Sequence, residues 1–317
     1  MIAQSPEMRE VLSRLPAIAR ARKTTLICGP TGSGKEVIAR ELHDFRGGAS
    51  GPYVPVHCGA LPDQLVEAEL FGHTRGAFTG AATARPGLVR SAAGGTLFLD
   101  EVDSLTLGTQ AKLLRFLETG EYRPVGSDRI DRSDTWVIAA TNRSLEERVA
   151  LGDFRADLLY RLDVLRIDLP PLRLRTSDLE LLALHFLPAA PALTFTPDAT
   201  AALHAHDWPG NVRELKHRVE RAAVLCQGGQ IDAALLGLAA SHEPVPAAVP
   251  LAAASGDPLR DQLWSLIADQ GLTLPEAVAR CEHVLIEAAL RAESENRTRA
   301  AQRLRIHVRT LFKKLSH

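Results

Sequence analysis

Three observations predict an α/β fold built on a parallel sheet and followed by two smaller helical units. Segments rich in β-formers alternate with stretches of helical character over the first half of the 317-residue chain. A glycine-rich segment, Gly29-Pro30-Thr31-Gly32-Ser33-Gly34-Lys35, sits between the first such segment and a helical run at Val37–Leu42. From Ser177 to about Leu238 the β-signal fades and apolar residues recur at helical spacing around a Trp208-Pro209-Gly210-Asn211 turn.

Taken in order, the predicted strands are Thr24–Cys28, Tyr53–Cys58, Thr96–Leu99, Thr135–Ala140 and Val164–Asp168, with helices expected on both faces of the sheet they form. This gives an α/β unit over 1–172 and an all-helical lid over 173–240. The Ala-, Pro- and Val-rich stretch that follows lacks any periodicity and is assigned as a linker, 241–257. The last unit, 258–317, carries one long helical segment, Pro275–Ala292, and two short ones, Thr298–Leu304 and Arg309–Leu315.

Composition narrows the function classes. With 45% hydrophobic residues the chain can bury large cores, and a formal charge of -1 gives no whole-chain argument for nucleic acid. Cys28, Cys58, Cys226 and Cys281 are scattered without metal-ligand spacing and read as buried reduced thiols. Met1–Lys23 lacks the apolar core of a signal peptide, and no apolar run is long enough to span a bilayer, so the expected location is cytoplasmic with no membrane partner.

The chemistry concentrates in four places. In Gly29–Lys35 the glycines let backbone N–H groups surround phosphates, the following helix N-terminus adds a positive field, and Lys35 neutralises the terminal oxygens. Glu36 stands where the generic motif has Ser or Thr on magnesium. The apolar strand ending in Asp100-Glu101 supplies two carboxylates, Asp100 for a Mg2+ ion and Glu101 to orient and polarise an attacking water; an acidic strand end capping the next helix is the alternative. Asn142, closing the strand Ile138–Thr141, either senses the γ-phosphate or forms an ordinary turn. Arg155 and Arg161 are either solvated surface charges or cations inserted into a neighbouring subunit's site.

From Ser5 to about Cys226 these motifs resemble, in order and spacing, the central AAA+ domain of the sigma-54-dependent transcriptional activators, the bacterial enhancer-binding proteins. The resemblance is carried by Glu69-Leu70-Phe71-Gly72-His73 running into Gly76-Ala77-Phe78-Thr79-Gly80-Ala81, by Gly94–Glu101, by Ala139–Asn142 and by Trp208–Leu215. It implies ATP hydrolysis with Mg2+, and it accounts for Glu36, since Glu follows the phosphate-binding lysine in that family. It assigns Gly29, Pro30, Thr31, Gly32, Ser33, Gly34, Lys35 and Glu36 to ATP binding, Asp100 and Glu101 to the Walker B pair, and Asn142 to the region of sensor I. Arg155 and Arg161 become trans-acting arginines in a hexameric ring, and Arg213 sensor II. It places Gly76, Ala77, Phe78, Thr79, Gly80 and Ala81 on sigma-54, with Phe78 and Thr79 at the loop tip, and makes Gly120–Asp134 a second surface loop that moves with the first. Two positions depart from the family: His57 replaces the usual Asn and Thr74 the usual acidic residue.

Between Asn296 and His317 there are seven basic residues and no acidic one, the electrostatic footprint of DNA binding. The pattern resembles the Fis-type helix-turn-helix, with His307, Val308 and Arg309 nearest the bases, Arg297 or Lys313 near phosphates, Arg305 where a turn glycine is usual, and Pro275–Ala292 as a dimerising helix. The implied partners are sigma-54 RNA polymerase holoenzyme, enhancer DNA and further copies of this chain or of a paralogue. The motifs begin close to Met1, so control is expected from a separate regulatory protein or from abundance, unless the sequence is a shortened form. The competing function is a DNA-binding AAA+ regulator that does not engage sigma-54, against which the intact Gly76–Ala81 segment speaks.

Overall fold

The computed structural model describes residues 2–45, 51–60, 62–78, 80–188, 193–226, 228–238, 274–293, 299, 301 and 303. The chain divides into two compact units, Met1–Glu243 and Pro244–His317.

Helix α1 (Pro6–Ala21) starts at Ser5, whose side chain accepts the Met8 N–H, with Pro6 in the first turn where its missing donor costs nothing. Then come β1 (Thr25–Cys28), α2 (Lys35–Asp44), β2 (Tyr53–His57), α3 (Asp63–Phe71), the two-residue strands β3 (Gly72–His73) and β4 (Arg85–Pro86), α4 (Leu88–Ser91) and β5 (Thr96–Asp100). Helix α5 (Leu107–Thr119), the short β6 (Glu121–Tyr122) and β7 (Asp131–Arg132), β8 (Trp136–Thr141), α6 (Leu145–Ala150), α7 (Ala156–Leu162) and β9 (Leu165–Asp168) complete the α/β part. The central sheet has the order β2-β5-β8-β1-β9, all parallel, so the five predicted strands form one sheet.

Period-two alternation builds its two cores. Leu97 and Leu99 of β5, Val137 and Ala139 of β8 and Leu26 of β1 face the helices that contribute Val66, Leu70, Leu113, Phe116 and Leu158. Phe98, Ile138, Ala140 and Ile27 point the other way, against Met8, Leu15 and Ile18 of α1 and Ile38 and Leu42 of α2. At the β2 edge, Pro55 pairs inward with Phe98 and has no N–H to offer on the outer side.

The lid comprises α8 (Thr176–Phe186), α9 (Pro197–Ala205) and α10 (Asn211–Leu225) around a core of Leu179, Leu182, Leu203, Trp208, Leu215 and Val219. It is helical as expected, with one addition: β10 (Thr194–Phe195) and β11 (Gln230–Ile231) form a two-residue parallel pair, too short to show as an alternating pattern. Trp208 is 1% exposed and its indole N–H donates to Leu203 O at 2.9 Å, so ring and polar tip are both satisfied. Burial pushes the Glu214 carboxyl up, but the Gly210 N–H at 2.9 Å and the Arg218 guanidinium at 2.8 Å outweigh it and hold it below its ordinary range. In the second unit, α11 (Leu274–Ala292) agrees with the predicted Pro275–Ala292 helix; linker 241–257 and the segment Arg309–Leu315 lie outside the described residues.

Trp208→Ala is expected to destabilise the lid by about 3–5 kcal/mol, read as a lower-denaturant transition in urea unfolding. Glu214→Gln should cost stability at neutral pH. Because the native Glu214 pKa is depressed, wild type keeps its advantage above the ordinary carboxylate range near pH 4.3 and loses it as pH falls through the native value; melting temperatures of both proteins across this range check it.

Candidate nucleotide site and loop pair

The site forms at the carboxyl edge of the sheet, where β1 leaves between β8 and β9. Gly32 and Gly34 take φ of +76° and +103°, a region other residues enter at a cost. Gly34 is the N-cap of α2 and no side chain caps it, so the first-turn N–H groups face the loop. The Ser33 hydroxyl is buried without a partner, and Lys35 Nζ lies 2.8 Å from Gly29 O and 3.2 Å from Pro30 O. Burial pushes the Lys35 ammonium down, and Asp100 and Glu101 work against that. Uncapped donors, an orphaned hydroxyl and a buried cation fit a triphosphate.

Opposite stands the end of β5. Asp100 accepts the Glu101 N–H at 3.0 Å and lies 3.2 Å from His57 Nδ1, so the residue that replaces the family's Asn does reach the acidic pair. Glu101 adopts the left-handed region at φ 54°, and its carboxylate lies over Gly59, where an added Cβ would collide with Oε2. Asn142 Nδ2 donates to Thr31 Oγ1 at 2.8 Å, which ties the end of β8 to the phosphate loop. Asp103, which the sequence reading passed over, is 5% exposed and accepts from Thr141 Oγ1 at 2.8 Å. Among the described residues no cluster of three or more His, Cys, Asp or Glu could hold a metal alone. Glu36 is exposed and 3.8 Å from Arg40.

The lid closes the site through the turn before α10. Val212 N donates to Gly32 O at 3.0 Å, Asn211 Nδ2 to Thr31 O at 3.0 Å, and Asn211 Oδ1 accepts Leu172 N at 2.8 Å. A Cβ on Gly32 would collide with Gly210 O and lie 3.0 Å from Arg213 Cβ, which puts the predicted Arg213 beside the loop. Next to the loop, a pocket of about 270 Å³ is lined by Ile2, Met8, Val37, Leu182, Phe186 and Val212, with Ser33 and Arg175 on its polar side. It suits a flat apolar base. These residues come from segments scattered along the chain, so no local motif marked them.

Loops 72–86 and 120–134 are joined at their roots. Thr74 N donates to Val125 O at 3.0 Å, Thr74 Oγ1 to Gly126 O at 3.0 Å and Val125 N to Gly72 O at 2.8 Å. Thr74, in place of an acidic residue, therefore fastens one loop to the other. Within the hexapeptide, Gly76 N bonds Ala81 O at 2.9 Å and Ala81 N bonds Phe78 O at 3.0 Å; Ala77 N donates to Thr74 O, and Gly80 has φ +103°. Phe78, in the hexapeptide, is half-buried and edge-on to the His73 ring at 5.0 Å, a nearby aromatic partner that covers part of its side chain. Thr79 lies outside the described residues.

Both predicted trans-acting arginines are exposed and engaged within the subunit: Arg155 with Asp157 at 2.7 Å, and Arg161 donating to Leu117 O at 2.8 Å. Cys58 is buried, and burial pushes its thiol up to about 12; Cys28 and Cys226 are only half-buried, correcting the uniform assignment. Of the predicted DNA contacts, Arg297, His307, Val308, Arg309 and Lys313 all lie outside the described residues, as does Arg305.

A strand–phosphate loop–helix, a carboxylate-ended neighbouring strand and a helical lid wired to the loop together define a P-loop nucleotide-binding protein of the AAA+ type. Comparison narrows this: residues 1–168 match the sigma-54 interaction domain, 173–248 the AAA+ ATPase lid domain and 277–317 the bacterial regulatory protein, Fis family. The chain belongs to the sigma-54 activator family, with a DNA-binding helix-turn-helix. It is 44% identical over 327 residues to the nitric oxide reductase transcription regulator NorR1 of Cupriavidus necator, covering 99% of this chain and 62% of that protein. It is 40% identical over 322 residues to the transcriptional regulatory protein ZraR of Escherichia coli K12, covering 100% and 68%. The chain thus spans about two thirds of the length of these relatives. The crystal structure of NtrX from Brucella abortus in complex with ATP superposes with a TM-score of 0.69 at 30% identity, over 100% of this chain and 69% of that one. No described helix is long and apolar enough to cross a membrane.

Gly32→Ala should clash with the lid turn and strain the loop, lowering nucleotide affinity by at least about 2 kcal/mol, roughly thirtyfold; calorimetric titration with ADP checks it.

Proposed function

We propose that this protein hydrolyses ATP in a ring, most simply a hexamer, and uses the cycle to remodel sigma-54 RNA polymerase holoenzyme from the closed to the open promoter complex while bound to enhancer DNA through residues 258–317. The observation that carries this reading is the fastening of the Gly76–Ala81 loop to the 120–134 loop, on a domain whose acidic strand end faces the phosphate loop. In this reading Lys35 and the loop N–H groups hold the phosphates, Arg213 approaches them from the lid, and Asn142 reports on the phosphate through Thr31. Asp100 would hold Mg2+, which supplies charge neutralisation at the phosphates. Glu101 orients the attacking water, and Arg155 and Arg161 exchange their internal partners for a neighbour's nucleotide when subunits meet. Displacement of Phe78 from His73 on loop movement presents the apolar side chain to sigma-54.

Open-complex formation by sigma-54 holoenzyme, assayed with ATP on premelted and duplex promoters, tests the whole scheme. Wild type should activate. Glu101→Gln should lose about a hundredfold in ATP turnover and all activation. Thr79→Ala should lose activation with turnover close to wild type. A wild type that hydrolyses ATP without activating would favour the DNA-binding regulator that does not engage sigma-54.

A further inference from the structure

Asp178, in the first turn of α8, is fully buried and accepts hydrogen bonds from Gln4 N, from Ser5 N at 2.8 Å, from Ser5 Oγ at 2.9 Å and from Arg175 Nε at 2.9 Å. Three of the four donors come from a segment more than 170 residues upstream. A buried carboxylate is retained only if such donors replace its water. Burial pushes its carboxyl up, but the Ser5 and Gln4 N–H groups, Arg175 and the Ser5 hydroxyl outweigh it and leave the group ionised, well below the ordinary carboxylate range.

Each strand of this knot leads to the pocket beside the phosphate loop. Upstream, the held segment carries Ile2, which lines the pocket and packs on the lid core, and Met8, whose N–H returns to Ser5 Oγ at 3.4 Å. Arg175 lines the polar side, and its Nη1 lies 3.4 Å from Ser33 O in the phosphate loop. One and two turns along α8 from Asp178 stand Leu182 and Phe186, the opposite wall. Residues 2–4 have no secondary structure of their own to fix them. The carboxylate is what sets their distance from the lid.

We propose that Asp178 is a positioning residue for nucleotide binding, fixing the width of the base pocket by holding the segment Ile2–Ser5 against α8, and that it acts on the base end of the ligand and not on its phosphates. The proposal rests on the reading of this site as an ATP site. Asp178 itself does not line the pocket.

The full chain, titrated calorimetrically with ADP and separately with inorganic tripolyphosphate, tests it. For Asp178→Asn, which keeps an acceptor but loses the charge, ADP should bind about tenfold more weakly with tripolyphosphate affinity unchanged. Ser5→Ala, a milder change on the other side of the knot, should weaken ADP about threefold to fivefold in the same selective way. Equal weakening of both ligands, or ADP affinity unaltered in both variants, would overturn the proposal. A wild type that binds tripolyphosphate but gains nothing from the adenosine would also overturn it. Failure of the underlying ATP reading looks different, because there the wild type would bind neither ligand.

Discussion

The hydrogen bonds between the phosphate loop and the lid turn are the constraint on which the rest of the first unit depends. Asn211 is held at φ 52° and spends both ends of its amide on this junction, one on Thr31 O and the other on Leu172 N, while Val212 N takes Gly32 O. Two backbone carbonyls of the loop, Thr31 O and Gly32 O, are thereby committed to the lid. The same junction brings Arg213 to the loop and lets the base pocket form between α2 and α8. Asn142 ties the end of β8 to the same loop through Thr31, so lid, loop and strand end share one hydrogen-bonded junction.

Charge at the carboxyl edge is balanced between few groups. Lys35 and Arg213 stand on one side, Asp100, Glu101 and Asp103 on the other, and Asp103 accepts from Thr141 and lies 3.7 Å from Arg143. Glu101 takes a left-handed conformation just past β5, with its carboxylate over Gly59 just past β2. His57 on β2 and Asp100 on β5 are register partners, which is why a change at position 57 reaches the acidic pair directly.

Much of this was legible in the sequence, for identifiable reasons. Buried strands such as Thr96–Asp100 and Trp136–Thr141 read clearly because both faces are covered and the runs are continuously apolar. That Gly29–Lys35, Asp100-Glu101 and Asn142 stand at the ends of strands was legible because each follows a run of β-formers. The base pocket, the Asp178 knot and Asp103 were not, since each is assembled by contacts between distant segments and involves residues ordinary for their local element. Ser5 caps α1 by ordinary local chemistry, but nothing local revealed that the same serine would also serve a lid carboxylate. The packing of Phe78 on His73, five residues back, was not legible either, since nothing in the spacing of the two rings marks the contact.

The β2 edge has a consequence for how copies of this chain can meet. Strand addition from another molecule needs a continuous row of donors and acceptors, and Pro55, in the middle of that five-residue edge strand, interrupts it. On that side the sheet is blunted against runaway pairing, so any molecule that meets it there must do so through side chains and loops. Side-chain contacts of that kind can slide and re-form, which a shared β-ladder could not do without breaking its backbone bonds.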